Sequence, residues 1–175
     1  MTKDLTQGKI TPLLVKFTIP LLFGNIFQLM YNSVDSIIVG QLVGKEALAA
    51  VGTSNPLMTL AILFVNGMCI GASILMGTQY GAKKMDVLKR QISTTMIAGI
   101  VFSIEVTLFC ILFARPLLLL IRVQEEVLPL AVSYLRIVFL GFIFTFIYNF
   151  FACTLRALGD STTPLYFLVA SSVLN

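Results

Sequence analysis

Long apolar runs alternate with short polar breaks along this chain. Four runs, about 14–43, 55–80, 91–114 and 129–155, are each long enough to cross a hydrocarbon layer of about 30 Å, which takes about 20 mostly apolar residues as a helix. A fifth opens at Pro164 and reaches Asn175 after twelve residues. That is only about 18 Å of helix at a rise of about 1.5 Å per residue, so the chain reads as the N-terminal part of a longer protein. Turn chemistry separates the runs. Gly44-Lys45-Glu46 closes the first, "GAKKMDVLKR" (81–90) follows the second and "RPLLLLIRVQEEVLP" (115–129) the third. In "RALGDSTTP" (156–164), Gly159 suits the left-handed end of a helix, and Thr163-Pro164 suits the cap and start of the next. The entry into the second run has two open readings. Either Asn55-Pro56 is its N-cap and first helical residue, or "GKEALAAVG" (44–52) is a helical lead-in that continues through a kink at Pro56.

Composition turns these runs into membrane spans. With 58% hydrophobic residues, 11% charged residues and a mean hydropathy of +0.97 over 175 residues, a water-soluble domain would expose far too much apolar surface. The fold class expected is an all-α integral membrane protein, a transmembrane helix bundle. The first run is far longer than the apolar core of a secretory signal and lacks a cleavage pattern, so it is expected to persist as a span. A net charge of +4 does not point to nucleic acid, because the basic residues sit in short clusters between the runs with no aromatic-interleaved basic face. Their placement instead gives an orientation. Eight (Lys3, Lys9, Lys16, Lys83, Lys84, Lys89, Arg90 and Arg156) flank one side, and three (Lys45, Arg115 and Arg122) the other. Arg136 lies in the early fourth span. By the positive-inside rule the N-terminus is expected in the cytoplasm, and the protein in the cell membrane.

The first span carries an anomaly. "GNIFQLMYNSVD" (24–35) holds Asn25, Gln28, Asn32 and Asp35, and at about 100° per residue their spacing confines all four to an arc of about 80° on one helix face. An acid at a helix centre costs about 2.5–3.5 kcal/mol on insertion scales, which makes it a functional candidate by default. A carboxylate surrounded by hydrocarbon has its charged form disfavoured, so it responds to a proton, a sodium ion or a cationic substrate. The three further polar groups make Asp35 part of a polar-lined cavity rather than an isolated, locally bonded acid.

Other candidates are weaker. Glu105 is a second acid at a matching depth in the third span, accompanied by Ser103 and Thr107; packing against neighbouring helices is the competing reading. In the second span Thr59, Asn66 and Ser73 recur every seven residues, Asn66 being the cavity candidate, and Gly67, Gly71, Gly77 and Gly81 have the spacing of close helix contacts. The fourth span is crowded with Phe139, Phe142, Phe144, Phe146, Phe150, Phe151 and Tyr148. Such a wall fits either core and lipid packing or a flat organic cation held on ring faces. Thr145 and Asn149 lie one turn apart on its polar face. Pro20 removes a helix hydrogen bond and permits a bend of the first span. Cys69, Cys110 and Cys153 are isolated small hydrophobes in apolar sequence, and with no histidine in the chain no protein metal cluster is spelled out. No phosphate-cradling loop or nucleophile-and-base set supports an enzyme.

Five blocks, "PLLFGN" (20–25), "YNSVDSIIVG" (31–40), "ALAAVG" (47–52), "QYGAKK" (79–84) and "RALGDSTTP" (156–164), taken in this order and spacing, resemble the multidrug and toxic compound extrusion family in its bacterial branch. The resemblance covers nearly the whole chain. It implies a twelve-helix exporter of two six-helix lobes, residues 1–175 being a partial N-terminal lobe with its first four to five helices. It also implies organic cations as substrates, protons or sodium as the exchanged ion, no cofactor, and a C-terminal lobe of the same protein as partner. Asp35 matches the family's first-helix acid for ion or proton coupling, with any sodium site placed there, and Pro20 matches the proline at which that helix bends. Asn149 resembles a fourth-helix polar partner, and Asn175 the first member of a fifth-helix Asn-x-x-x-Asp pair. Glu105 has no match in the pattern.

Two other readings compete. A lipid-linked sugar flippase of the same superfamily would need a more cationic cavity than Arg136 alone provides, and a non-transporting helical fragment would lack a second set of six spans beyond Asn175.

Overall fold

The computed structural model describes the backbone of residues 10–42 and 44–174, with side chains for all of these except Asp35, Val39 and 171–174. Lys3, Lys9 and Asn175 lie outside the described residues. Those described form six helices and no strand: α1 (Ile10–Leu42), α2 (Lys45–Gly81), α3 (Met85–Leu120), α4 (Leu128–Leu140), α5 (Phe142–Ala157) and α6 (Thr163–Leu174). Three of them, α1, α2 and α3, are long and apolar enough to cross a membrane, and the bent pair α4 and α5 makes a fourth crossing if it is one span.

Every long helix outruns the apolar run that predicts it. The first span is 10–42 rather than 14–43, the second 45–81 rather than 55–80, and the third 85–120 rather than 91–114. The lead-in reading is the one realised in α2, which starts at Lys45 and carries Pro56 inside it. Gly44, at φ +110°, makes the turn after α1, and the Leu48 amide donates to its carbonyl at 3.2 Å to open α2. Pro56 removes one rung of the ladder. Just before it, Thr53 and Ser54 turn their hydroxyls back onto the Ala49 and Ala50 carbonyls at 2.8 and 2.7 Å.

Three helices end in the same way. After α2, α3 and α5 a left-handed residue lets two successive amides bond backward across the last turn: Lys84 to Gln79 and Lys83 to Tyr80, Val123 to Leu118 and Arg122 to Leu119, Asp160 to Leu155 and Gly159 to Arg156. This is the Schellman pattern, which satisfies carbonyls that a helix end otherwise orphans. Gly159 takes the left-handed place as expected, at φ +87°, but Lys83 and Arg122 fill it elsewhere, at +57° and +58°.

The run 129–155 is not one helix. It breaks at Gly141 into α4 and α5, bent by 46°. Gly141 donates to the Val138 carbonyl at 3.0 Å, one residue short of the α-helical partner. The Thr107 hydroxyl of α3 donates to the Phe139 carbonyl at 3.0 Å, supplying a partner beside the break. Hydroxyl side chains commonly repair interrupted membrane helices in this manner.

By packing, the chain divides into two compact units. One comprises the described parts of Met1–Val34, Cys69–Thr95 and Phe150–Asn175, the other Asp35–Met68 and Met96–Asn149. In the first, Met76 is buried beside the Thr154 hydroxyl, at 3.7 Å, and a methyl placed on Gly77 would stand 3.5 Å from the Ala157 carbonyl. In the second, Phe139 and Phe142 are buried with ring centres 5.4 Å apart, and the buried Phe146 ring fills the space that a side chain on Gly99 would need.

Candidate functional site

The α1 stripe begins as a backbone consequence. An uninterrupted helix through Asn25, Gln28, Asn32 and Asp35 keeps the four positions on the narrow arc that their spacing predicts. Asn25, Gln28 and Asn32 are exposed in this chain, alternating with exposed apolar neighbours such as Leu22, Phe23, Ile26, Leu29 and Met30. α1 therefore presents polar and apolar faces outward together. The Asp35 position is helical, and its carboxyl lies outside the described residues, as does the whole of Asn175.

On α5, Thr145 and Asn149 do come together. The Asn149 amide donates to the Thr145 carbonyl at 2.8 Å, and both residues are half-buried. Half of the Asn149 side chain is thus spent on its own helix, leaving its carbonyl oxygen as the acceptor. Asn66 on α2 is half-buried. Glu105 is exposed on α3, and its two companions direct their hydroxyl protons elsewhere, Ser103 to the Gly99 carbonyl at 2.7 Å and Thr107 to Phe139. Pro20 sits inside an unbroken α1. Arg136 is exposed and donates from Nε to the Ile111 carbonyl at 3.2 Å.

The aromatic wall divides in two. Phe139, Phe142, Phe146 and Phe150 recur at helical spacing and are buried, whereas Phe144, Tyr148 and Phe151 face outward. The buried set is core, so a ring face for a cation falls to the outward set. The glycines divide as well. Gly77 has a close neighbour, but Gly67, Gly71 and Gly81 have open space around them, so three of the four expected close contacts are not made among the described residues.

Among the described residues, three grooves flank these elements. One of about 500 Å³ is lined by Leu60, Leu63, Phe64, Gly67 and Met68 of α2 and Phe102 of α3. A second, about 380 Å³, joins Ala49, Thr53 and Pro56 to the turn 121–127. A third, about 490 Å³, runs from Leu75 and Gln79 to Arg90, Gln91, Thr94 and Thr95. None of the three is lined by the α1 stripe, Asn66, Thr145 or Asn149.

Two features escaped the sequence reading. Asp160, 5% exposed, gathers the start of α6: its Oδ1 accepts from the Thr162 amide at 3.1 Å, the Thr162 hydroxyl at 3.0 Å and the Thr163 amide at 3.0 Å, and its Oδ2 from the Thr163 hydroxyl at 2.7 Å. The expected Thr163 cap is corrected, since Thr163 donates its hydroxyl and the acid two positions before Thr162 does the capping. Pro164 lacks an amide proton, so the bonds fall on 162 and 163 instead. Burial alone would push the Asp160 carboxyl up, but the bonds from Thr163 and Thr162 outweigh it and hold it below the usual carboxylate range. The signal was present as Asp followed by Ser-Thr-Thr-Pro, a turn-forming order. The second is that Met76 of α2 and Thr154 of α5, far apart in sequence, meet, the buried Thr154 hydroxyl donating to the Met76 sulfur at 3.7 Å. Nothing in their wide separation along the chain foretells that contact, which depends on how α2 and α5 pack.

The MatE family model matches residues 20–175. The chain is 34% identical over 172 residues to the "Probable multidrug resistance protein YpnP" of Bacillus subtilis, covering 98% of this chain and 39% of that protein. It is 36% identical over 159 residues to the "Probable multidrug resistance protein YoeA" of the same organism, covering 91% and 34%. A crystal structure of MATE in complex with MaD3S superposes with a TM-score of 0.90 at 25% identity, over 99% of this chain and 40% of that one. The chain thus spans well under half the length of the relatives it matches. With helices that superpose on a solved MATE protein and a family match over nearly its full length, this chain belongs to the MatE family.

Proposed function

We propose that this chain forms part of the N-terminal lobe of a cation-coupled exporter that exchanges protons or sodium for organic cations across the cell membrane, its N-terminus in the cytoplasm. The observation that carries the reading is the polar stripe on α1, three exposed amides leading to an acid on a mostly apolar helix. Family membership and the multidrug resistance names of YpnP and YoeA support it.

In this reading Asp35 is the coupling group. Neutralised by a proton or paired with sodium, it is stable in a low-dielectric site; stripped of that partner, it attracts a cationic substrate. Ion and substrate compete for one carboxyl, so binding of either favours release of the other. Asn25, Gln28, Asn32, Asn66 and Thr145 line the cavity and hydrate or hydrogen-bond the cargo. Asn149, with its carbonyl oxygen uncommitted to Thr145, and Asn175 assist in holding the ion. Pro20 gives α1 a place to bend as the occupancy of Asp35 changes.

The experiment is dye efflux from membrane vesicles carrying the full-length protein with Asp35→Asn. Transport is expected to fall by at least about tenfold, equivalent to about 1.4 kcal/mol in the rate-limiting barrier. Undiminished efflux by a correctly inserted mutant would remove the acid from the mechanism. Separately imposed proton and sodium gradients identify the coupling ion.

A further inference from the structure

The groove between the end of α2 and the start of α3 differs from the other two in its lining. Leu75 and Val87, each about half exposed, give it an apolar wall. Gln79 and Gln91 add amides, Thr94 and Thr95 hydroxyls, and Arg90 a guanidinium, all around one space of about 490 Å³. On α3 these positions recur at steps of three and four residues, so one helix face supplies them. The groove beside Phe64 and Phe102 offers only apolar side chains and Gly67. The groove at the turn 121–127 has Arg122, but Glu125 and Glu126 stand in the same turn. Around Arg90 the balance is reversed: residues 79–95 carry exposed Lys83, Lys84, Lys89 and Arg90 against Asp86 alone. From Met85 to Thr95 is about 15 Å of helix, more than the about 5–7 Å of headgroup layer on either side of the hydrocarbon. The groove therefore runs from the polar hairpin turn into the depth of the acyl chains.

We propose that this groove binds one anionic phospholipid. Arg90 takes the phosphate, since a guanidinium meets two phosphate oxygens with parallel N–H groups. Gln79, nearer the turn, meets the headgroup, and Gln91 lies beside the phosphate. Thr94 and Thr95, a turn deeper in α3, donate to the ester carbonyls, and the first methylenes of an acyl chain lie along Leu75 and Val87. Every phospholipid has a phosphate, so the surroundings do the selecting. Three lysines about the hairpin attract a headgroup of net negative charge and oppose one that carries an ammonium of its own. The proposal rests on α2 and α3 crossing the membrane and not on the transport reading, because neither Asp35 nor any other residue of that mechanism lines the groove.

The test is native mass spectrometry of the full-length protein in detergent, titrated with phosphatidylglycerol or with phosphatidylcholine of the same acyl chains. The quantity read is the affinity for the first lipid bound. Wild type is expected to prefer phosphatidylglycerol by at least about tenfold, and Arg90→Gln to weaken that lipid by at least about fivefold, the effect of one cation near an anionic headgroup. Thr94→Val, which removes an exposed hydroxyl at nearly constant volume, is expected to weaken it about threefold. Lys45→Gln, at the other end of α2, should leave it unchanged, and glycerol phosphate at equal concentration should displace no lipid. Equal affinity of wild type for the two lipids would overturn the proposal. So would phosphatidylglycerol binding unaltered in Arg90→Gln or, where that variant fails to insert, in Thr94→Val. Displacement by glycerol phosphate would also overturn it, by showing a site for free phosphate that makes no use of the apolar wall.

Discussion

Lys83 and Arg122 hold left-handed backbone angles that cost a residue with a β-carbon about 1–2 kcal/mol. Each sits where a helix ends, and a cation there recovers about 0.3–1 kcal/mol from the negative end of the helix dipole. The balance predicts that Lys83→Gly is neutral or stabilising by up to about 1 kcal/mol, whereas Gly159→Ala at the equivalent place after α5 destabilises by about 1 kcal/mol. Thermal unfolding of the full-length protein in detergent checks both; equal losses in the two variants would show that the backbone angle is not what limits these ends. Asp160 gives a prediction in pH as well. Its carboxyl is held below the ordinary value, so its contribution to stability is complete above the unfolded carboxylate pKa of about 3.9 and fades as pH falls from there toward the folded value. Asp160→Ala is expected to cost about 1–2 kcal/mol at neutral pH, and the gap from wild type should narrow in acid. A gap that widened in acid would contradict the capping role.

At the scale of elements, α3 and α5 pack closely where the Phe146 ring occupies the room beside Gly99. Gly99→Ala should therefore overpack that contact, at a cost of about 1–3 kcal/mol. Phe146→Leu added to Gly99→Ala should recover part of the loss, measured by the same unfolding assay, because the ring is the obstacle. A double variant no better than Gly99→Ala alone would place the strain elsewhere. The break at Gly141 belongs to this scale too. The apolar pattern passes over it without interruption, because hydrophobicity reports the solvent around a helix and not the direction of its axis. The single glycine of that run was the only local sign.

For the whole molecule, the main fact is how much apolar surface the chain leaves uncovered. Side chains such as Leu22, Phe64, Leu112 and Phe144 stand more than half exposed on α1, α2, α3 and α5, as suits helices bordered by lipid; the relatives that the chain matches are more than twice its length. Transport, in the proposed reading, belongs to a full-length protein. There the two intramembrane acids are predicted to part company: Asp35→Asn should lose most dye efflux, whereas Glu105→Gln should keep more than about half, since the polar neighbours of Glu105 are committed to backbone carbonyls. Comparable losses in vesicles would make Glu105 a second coupling group.

Amino-acid order alone determined the solvent, the helical class, most helix limits to within about ten residues, the left-handed turn at Gly159 and the arc that carries Asn25, Gln28, Asn32 and Asp35. These follow from local physics: hydropathy, a period of about 3.6 residues, and the backbone freedom of glycine. Tertiary structure decided the rest. Which phenylalanines became core, which glycines met a neighbour, where the fourth span bent, and that Met76 would touch Thr154 all depend on the helix faces turned toward one another. Packing is a relation between distant segments, and an apolar face reads the same in sequence whether a helix, a lipid or nothing covers it.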